Sequence, residues 1–369
     1  MAQTQTHISW GRVLTYAGAF IAFLIGSGFA TGQEVMQYFT AYGYSGILGI
    51  LVVLVLFCYV GREFVIIGNH QRFENGGQIY EYLCGRWVGR FFDYFSILFI
   101  YMSFIVMIGG TGATVSQQYD LNPWIGALGM GFVVALTVIC GLDKIVDVLG
   151  KVGPAIVVLT IILGGIAMAK NPDGLVSVNE ILPSLNLMTA SGHWFFAATS
   201  YVGFCMLWLA GFMSLMGSSA KNLKEITRGA VLGACGFSLA LAIIALGLMA
   251  NLELVAGSMV PTLKLAGYIH PMFATVFSVI VLAGIYTTAV PLLWQASARF
   301  TNGKSAGFKI LTVVLTAIGV FVGMKIPFDS LVNAIYVING YVGIVLLAFL
   351  FIHTIQRLRH AKVLTLKSQ

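Results

Sequence analysis

Long apolar stretches alternate with short polar segments along the whole chain. Ten of the apolar stretches reach the roughly 20 residues that an α-helix needs to cross a bilayer. They cover residues 10–40, 44–68, 88–116, 122–141, 145–169, 193–218, 226–251, 271–299, 306–325 and 328–356. The pattern predicts an all-α polytopic membrane protein with ten transmembrane helices.

The composition is that of a membrane protein and argues against a soluble domain, a disulfide-rich protein and a cysteine metal site. Of the 369 residues, 59% are hydrophobic and 9% are charged, whereas a soluble domain carries roughly 25% charged residues. The odd number of cysteines argues against a full disulfide framework, and their spacing does not fit a metal site. The N-terminal residues lack the charged region and the cleavage site of a secretory signal peptide, so we expect the first helix to be retained.

The basic residues are distributed unevenly between the loops. If the N-terminus is cytoplasmic, Lys170, Lys264 and Lys325 face outward, and the other 17 of the 20 lysines and arginines face inward. Cytoplasmic loops of membrane proteins carry such an excess. The bias predicts a multi-pass protein of the cell membrane with both termini in the cytoplasm. The net charge of +7 is therefore explained by basic residues in the cytoplasmic loops and does not indicate nucleic-acid binding.

The loop order indicates two copies of one unit. Longer polar segments, at residues 69–87 and 252–270, follow the second and the seventh spans. We expect each to form a short interfacial helix. An odd number of spans per copy forces the copies into opposite orientations. The predicted domains are residues 1–170 (first inverted repeat), 171–192 (extracellular connector), 193–357 (second inverted repeat) and 358–369 (cytoplasmic tail).

The first span carries Gly26, Ser27 and Gly28 at its centre. Two glycines disfavour continuous helix there, and non-helical backbone inside a membrane is tolerated only where it is buried in protein or lines a cavity. The freed helix ends offer N–H groups to an anion and carbonyls to a cation. The alternative is a close contact between helices through small residues.

The sixth span is the counterpart of the first if the two halves are equivalent. It groups Thr199, Ser200, Tyr201 and Gly203 near its centre, which suggests a second break. Interrupted segments at corresponding positions of two halves indicate the substrate site of a transporter. A packing face of small residues is again the alternative.

Three segments resemble the amino acid–polyamine–organocation (APC) superfamily of secondary transporters. Ile25-Gly-Ser-Gly-Phe29 resembles its first helix, residues 196–204 resemble the break of its sixth helix, and residues 141–154 are similar to its fifth-helix motif. The segment Gly28-Phe-Ala-Thr-Gly-Gln-Glu34 is most similar to the YkvI-like amino acid permeases. The resemblance implies a LeuT-type fold of two inverted five-helix repeats with helices 1 and 6 broken.

The resemblance also implies a substrate site. In the family, backbone at positions 26–28 meets a substrate carboxylate, and carbonyls near Ser200 and Gly203 meet an ammonium group. We expect aromatic side chains of the third and sixth spans to form the wall of the site. The predicted substrate-binding residues are Gly26, Ser27, Gly28, Thr31, Glu34, Tyr101, Phe104, Ser200, Tyr201, Gly203 and Phe204.

Glu34 is the acidic residue that we place well inside a span. Six residues beyond Gly28, it lies about 9 Å along the outer half-helix, on the same face as Thr31 and Tyr38. An ionisable group at that depth is functional by default. It could carry a transported proton, pair with a cationic substrate or form an outer gate, and a structural carboxyl is the alternative.

A sodium site is implied by the eighth span. The hydroxyls of Thr287 and Thr288 and the carbonyl of Gly284 resemble the family's second sodium site, whose remaining carbonyls correspond to Ala22 and Ile25. The threonines could instead bond to their own helix. The asparagines of the family's first sodium site correspond to Phe23 and Phe29, so we expect one sodium ion at most. Lys151, the counterpart of a coupling lysine in proton-coupled relatives, is placed too near the cytoplasmic face.

These observations predict a cation-coupled symporter of a small amino acid or a related zwitterionic or amine solute, working by alternating access. The alternatives are a proton-coupled permease or exchanger that uses Glu34, and an ion or solute channel. An enzyme is not predicted, because an intramembrane enzyme needs clustered acids or histidines, and His193 and His270 stand apart. Apart from sodium, no cofactor is expected. The predicted partners are the solute, sodium or a proton, and membrane lipid.

Overall fold

The computed structural model describes residues 8–140, 146–301 and 305–367, and all regular elements in these ranges are helical. The helices are α1 (Trp10–Leu24), α2 (Ser27–Thr31), α3 (Gln33–Tyr38), α4 (Tyr44–Gln71), α5 (Gln78–Tyr119), α6 (Pro123–Cys140), α7 (Val146–Lys170), α8 (Asp173–Val176), α9 (Val178–Ile181), α10 (Trp194–Ser219), α11 (Leu223–Ala250), α12 (Leu252–Val255), α13 (Pro261–Ile269), α14 (Pro271–Ala298), α15 (Ala306–Lys325) and α16 (Phe328–Lys367).

In the described ranges, eight helices are long and apolar enough to cross a bilayer, namely α4, α5, α6, α10, α11, α14, α15 and α16. The broken segment α1–α3 corresponds to the first predicted span and α7 to the fifth. The arrangement is therefore consistent with ten crossings, and the all-α membrane fold is confirmed.

The polar segments after the second and seventh spans both contain short helices. In residues 69–87, the first part of α5 (residues 78–84) is a short helix that a kink at Gly85 (φ 75°, ψ 173°) separates from the rest of α5, and this left-handed φ favours glycine. Residues 252–270 form the short helices α12 and α13. Residues 141–145 of the fifth-span motif lie outside the described residues, as does the side chain of Lys151.

The prediction of a broken sixth span is wrong. Helix α10 runs from Trp194 to Ser219 without interruption. The hydroxyls of Thr199 and Ser200 donate back to carbonyls of the same helix, at 2.9 Å from Phe195 and 3.0 Å from Ala197, so they need no break. Gly203 allows the backbone of α10 to lie directly against that of α16.

The broken first span lies at the centre of the molecule. Every residue from Leu24 to Ala41 is buried, and α2 contacts α5, α13 and α14 while α3 contacts α10, α11 and α16. Helix α4 packs against α10 and α11 around it, and α1 packs against α11. Irregular backbone in a membrane protein must be shielded from lipid in this way.

Candidate functional site

The first span is interrupted where the Gly-Ser-Gly triplet predicts. Helix α1 ends at Leu24, and Ile25 (φ −82°, ψ 107°) and Gly26 (φ −113°, ψ −173°) are extended before α2 begins at Ser27. The N–H group of Ser27 donates to the Sδ atom of Met107 at 3.3 Å rather than to a helix carbonyl. The predicted break is therefore confirmed.

A second break, which we did not predict, follows one turn later. Gly32 adopts the left-handed conformation (φ 80°) and separates α2 from α3. A Cβ atom on this glycine would lie 2.7 Å from the Cγ2 atom of Thr262, whose hydroxyl donates to the carbonyl of Ala30 at 2.8 Å. Helix α13 thus covers the short helix α2.

Glu34 lies in the first turn of α3, and only 3% of its surface is exposed. Its side chain folds back beside α2, since a Cβ atom on Gly28 would lie 2.7 Å from its Oε2 atom and 3.1 Å from the ring of Tyr336. The ion pairs of the described residues involve other acids, and none of them includes Glu34.

Four buried hydroxyl groups lie near this carboxylate. Three belong to tyrosines on three different helices, α3, α10 and α16, and each tyrosine is within electrostatic range of Glu34. The Tyr201 hydroxyl is oriented toward Glu34 and that of Tyr336 toward Ser27. Among the described residues, however, none of the four completes a hydrogen bond of standard geometry. The four are Ser27, Tyr38, Tyr201 and Tyr336. Buried polar atoms are rarely left unpaired, so the cluster is suited to bind a polar solute that pairs with these hydroxyls.

Aromatic rings form the wall around the hydroxyl cluster. The ring of Phe204 stacks on that of Tyr336 with centroids 4.7 Å apart, and it meets Tyr201 edge-on at 5.1 Å. Behind them, Phe99 of α5 stacks on Trp208 at 5.2 Å. The Glu34 carboxylate therefore lies in a compartment of hydroxyls and ring faces.

The structure brings only some of the predicted residues to this compartment. Gly26, Ser27, Gly28, Glu34, Tyr201 and Phe204 lie there. Thr31 bonds to its own helix, donating to the carbonyls of Ser27 at 2.7 Å and Gly28 at 3.2 Å. Ser200 and Gly203 instead face α16, where their neighbour is Gly340.

The predicted wall residues of the third span face the wrong way. The Tyr101 hydroxyl donates to the carbonyl of Leu315 on α15 at 2.9 Å, and Phe104 packs under Gly319 of the same helix. The side of α5 that faces the site instead presents Phe99 and Met107, which are eight residues apart and share one helix face. On a helix that is apolar on all sides, the hydrophobic pattern does not show which face points toward the site.

Two further residues were missed. Tyr38 shares a helix face with Glu34, a signal that the sequence did contain. Tyr336 lies in the middle of an apolar span some 300 residues away from Glu34 in the chain, and no local motif marks it.

The oxygens predicted to bind sodium come together in part. The Thr288 hydroxyl lies 3.2 Å from the carbonyl of Ile25 and 3.0 Å from that of Gly284. Thr287 donates to Gly284 alone, at 2.9 Å. Ala22 lies in the last turn of α1. The break in the first span thus places a freed carbonyl beside a hydroxyl of α14.

Polar contacts join helices α3 and α4 to α16. Gln37 of α3 donates to the carbonyl of Asp329 at 2.9 Å and accepts from Asn333 at 3.1 Å, both in the first turns of α16. The buried Glu63 of α4 pairs with Arg357, far along α16 from these residues, at 2.7 Å.

No model of a known protein family matches the chain. The membrane protein YkvI of Bacillus subtilis (strain 168) is 22% identical over 338 residues, which cover 91% of this chain and 94% of YkvI. The structure of MhsT with L-phenylalanine superposes with a TM-score of 0.62 at 16% identity, covering 89% of this chain and 87% of MhsT.

The inward-facing structure of Mhp1, a nucleobase-cation-symport-1 family transporter, gives a TM-score of 0.60 at 14% identity and covers 90% of this chain and 73% of Mhp1. At these identities the likeness establishes the fold. The chain has the LeuT-type fold, and it is similar to YkvI.

Proposed function

We propose that the chain is a cation-coupled secondary transporter, a symporter that moves a small amino acid or a related zwitterionic or amine solute by alternating access. The observation that carries the proposal is the buried double break in the first span, with Glu34 and four unpaired hydroxyls beside it. Broken helices of transporters supply such sites near the bilayer midplane.

The helix contacts support a rocking motion. The bundle of spans 1, 2, 6 and 7, which corresponds to α1–α3, α4, α10 and α11, would move against the remaining spans. Helix α10 meets α16 through Gly203, Gly340 and Gly343, where backbone lies against backbone without side chains between them. A smooth interface of this kind suits sliding between two rigid groups of helices.

Sodium is the coupling ion that the chemistry of the oxygens favours. The hydroxyl of Thr288 lies within hydrogen-bond distance of the carbonyls of Ile25 and Gly284. All three groups offer a neutral, hard oxygen as a metal ligand. Hard cations prefer oxygen ligands. Thr287 and the carbonyl of Ala22 would complete the set.

Proton coupling is the second candidate, with Glu34 as the carrier of the proton. A buried carboxylate without a partner cation among the described residues is costly to keep charged. An exchanger would use the same group. In either case the loop charges favour a cell-membrane protein with both termini in the cytoplasm.

Uptake into proteoliposomes tests the proposal. Purified protein is reconstituted, an inward sodium or proton gradient is imposed separately, and uptake is followed for a panel of labelled amino acids and amines. We expect at least one solute to accumulate under one gradient and to leak back when an ionophore dissipates it. Lack of accumulation for every solute under both gradients would refute transport.

A further inference from the structure

The charge balance around Glu34 is incomplete. In the described part of the chain, the ion pairs place Arg12 on Glu225, Arg90 on Glu81, Arg299 on Asp93, and Arg62 and Arg357 on Glu63. Glu34 is as buried as Glu63 and Glu225 but has no such partner. Burying a lone carboxylate is costly, and a cation brought from outside would offset that cost.

The position of the carboxylate also disfavours a second carboxylate. The Oε2 atom of Glu34 lies against Gly28 in the first turn of α2, where the backbone was expected to receive the solute's carboxylate. Two carboxylates that share a site repel each other. In addition, α2 has only five residues, and the N–H group of Ser27 already donates to Met107.

The remaining groups in the compartment suit an ammonium ion. An alkylammonium group has three N–H donors and needs acceptors. The hydroxyl oxygens of Tyr38, Tyr201 and Tyr336 are buried, and among the described residues none of them completes a hydrogen bond of standard geometry.

We propose that the transported solute is an organic cation that carries an amine and no carboxylate, and that Glu34 is its counter-ion in the compartment formed by Tyr38, Tyr201, Tyr336 and Phe204. This inference rests on the proposed transport function and names the solute class of the same site. It favours the amine among the solutes proposed above and disfavours the zwitterion.

Matched pairs of probes test the solute class. L-Leucine and isoamylamine, like L-phenylalanine and 2-phenylethylamine, share the side chain and the amine but differ in the carboxylate. Binding is measured on purified protein by ligand-induced thermal stabilisation, which needs no ion gradient. We expect at least one amine to bind about tenfold or more tightly than its amino acid, a difference of about 1.4 kcal/mol.

Variants then test the role of Glu34. Glu34→Gln keeps the size of the side chain and removes the charge, so we expect amine affinity to fall about tenfold or more. Tyr201→Phe keeps the ring and removes one acceptor, and we expect a smaller loss. Glu253→Gln, at an exposed acid on α12, is the matched control and should bind amines like the parent protein.

The outcomes separate the two proposals. Equal binding of both members of every pair, or binding of amino acids alone, overturns the cationic-solute inference and leaves transport standing. If Glu34→Gln fails to fold, the loss with Tyr201→Phe decides, and unchanged amine affinity in that variant overturns the inference. Amine binding without uptake under any gradient supports the site but refutes the transport function.

Discussion

The first span and the sixth span occupy corresponding places in the two halves, yet one is broken twice and the other is a continuous helix. Both contain glycine and small hydroxyl residues near their centres. In α10 the hydroxyls of Thr199 and Ser200 donate to carbonyls of their own helix. In the first span Ser27 completes no hydrogen bond through its hydroxyl within the described chain. Similar composition therefore gives opposite backbone geometry.

The difference lies in what each glycine faces. A Cβ atom on Gly203 would collide with the carbonyl oxygen of Gly340, so this glycine allows two helix backbones to touch. A Cβ atom on Gly28 would meet the carboxylate of Glu34 and the ring of Tyr336. The first is a packing contact between helices, and the second leaves room for the side chain of Glu34. Only the tertiary neighbours distinguish the two.

Alanine at these two glycines gives the largest expected effects, of opposite kinds. Gly203→Ala forces α10 away from α16, and overpacking of this kind costs about 1–3 kcal/mol or more, so we expect a clear fall in thermal stability. Gly28→Ala displaces the Glu34 carboxylate, and a misplaced functional group lowers function by about 100-fold, with a smaller change in stability. Thermal unfolding and initial uptake rate, measured on both variants, check the prediction.

Gly18→Ala is the control for this pair. Gly18 lies in α1 on the same span as Gly28, and no atom beyond the backbone of its own helix lies within 4 Å of its Cβ position, so both stability and uptake should be retained. If Gly28→Ala lowered stability and Gly203→Ala lowered uptake alone, the two glycines would have exchanged the roles that we assign to them.

Much of the fold could be predicted from the sequence, because span length and apolarity are local properties. The Gly-Ser-Gly triplet predicted the break near Gly26 for the same reason: backbone freedom is encoded by the residue itself. Glu34 was found because an acid inside an apolar run is conspicuous. Its two flanking features, the second break at Gly32 and the fold-back onto Gly28, depend on α13 and α16 and carry no such local mark.

The wall of the site could not be predicted because nearly every face of a membrane helix is apolar. The third span offers Tyr101 and Phe104 on one face and Phe99 and Met107 on another, and hydrophobicity does not say which face meets α2. Tyr336 belongs to the opposite half of the chain. Its role emerges only when α16 packs against α3 and α10.

The two spans also differ at the proposed sodium site. The break in the first span leaves the carbonyl of Ile25 without a partner in its own helix, whereas the continuous helix α10 leaves no such carbonyl at its centre. Thr288→Ala removes the hydroxyl that bridges Ile25 and Gly284. Loss of one oxygen ligand of the ion should cost about as much as loss of a hydrogen bond to a charged group, about 1.5–3 kcal/mol, so we expect sodium affinity to fall about tenfold or more. Sodium dependence of uptake, measured as the half-saturating concentration, checks it.

Thr287→Ala and Thr288→Ser are the matched variants for this site. Thr287 contacts only the carbonyl of Gly284 in its own helix, so its replacement should have the smaller effect. Thr288→Ser retains the hydroxyl and should remain close to the parent protein. An unchanged sodium dependence in Thr288→Ala would remove the ion from this site and favour proton coupling through Glu34.

Substitution of Ser27 in the first span and of Ser200 in the sixth is expected to give the smallest effects. It is also the most direct comparison, because both serines are fully buried in corresponding spans. Ser200→Ala removes a hydroxyl that already bonds to its own helix at 3.0 Å, so solute affinity should not change. Ser27→Ala removes a hydroxyl that is free to bind the solute. A typical hydrogen bond contributes about 0.5–1.5 kcal/mol, so we expect affinity to fall about threefold to tenfold without loss of stability. Equal affinities in the two variants would mean that the Ser27 hydroxyl does not contact the solute. The solute would then bind among the tyrosines and Glu34 alone.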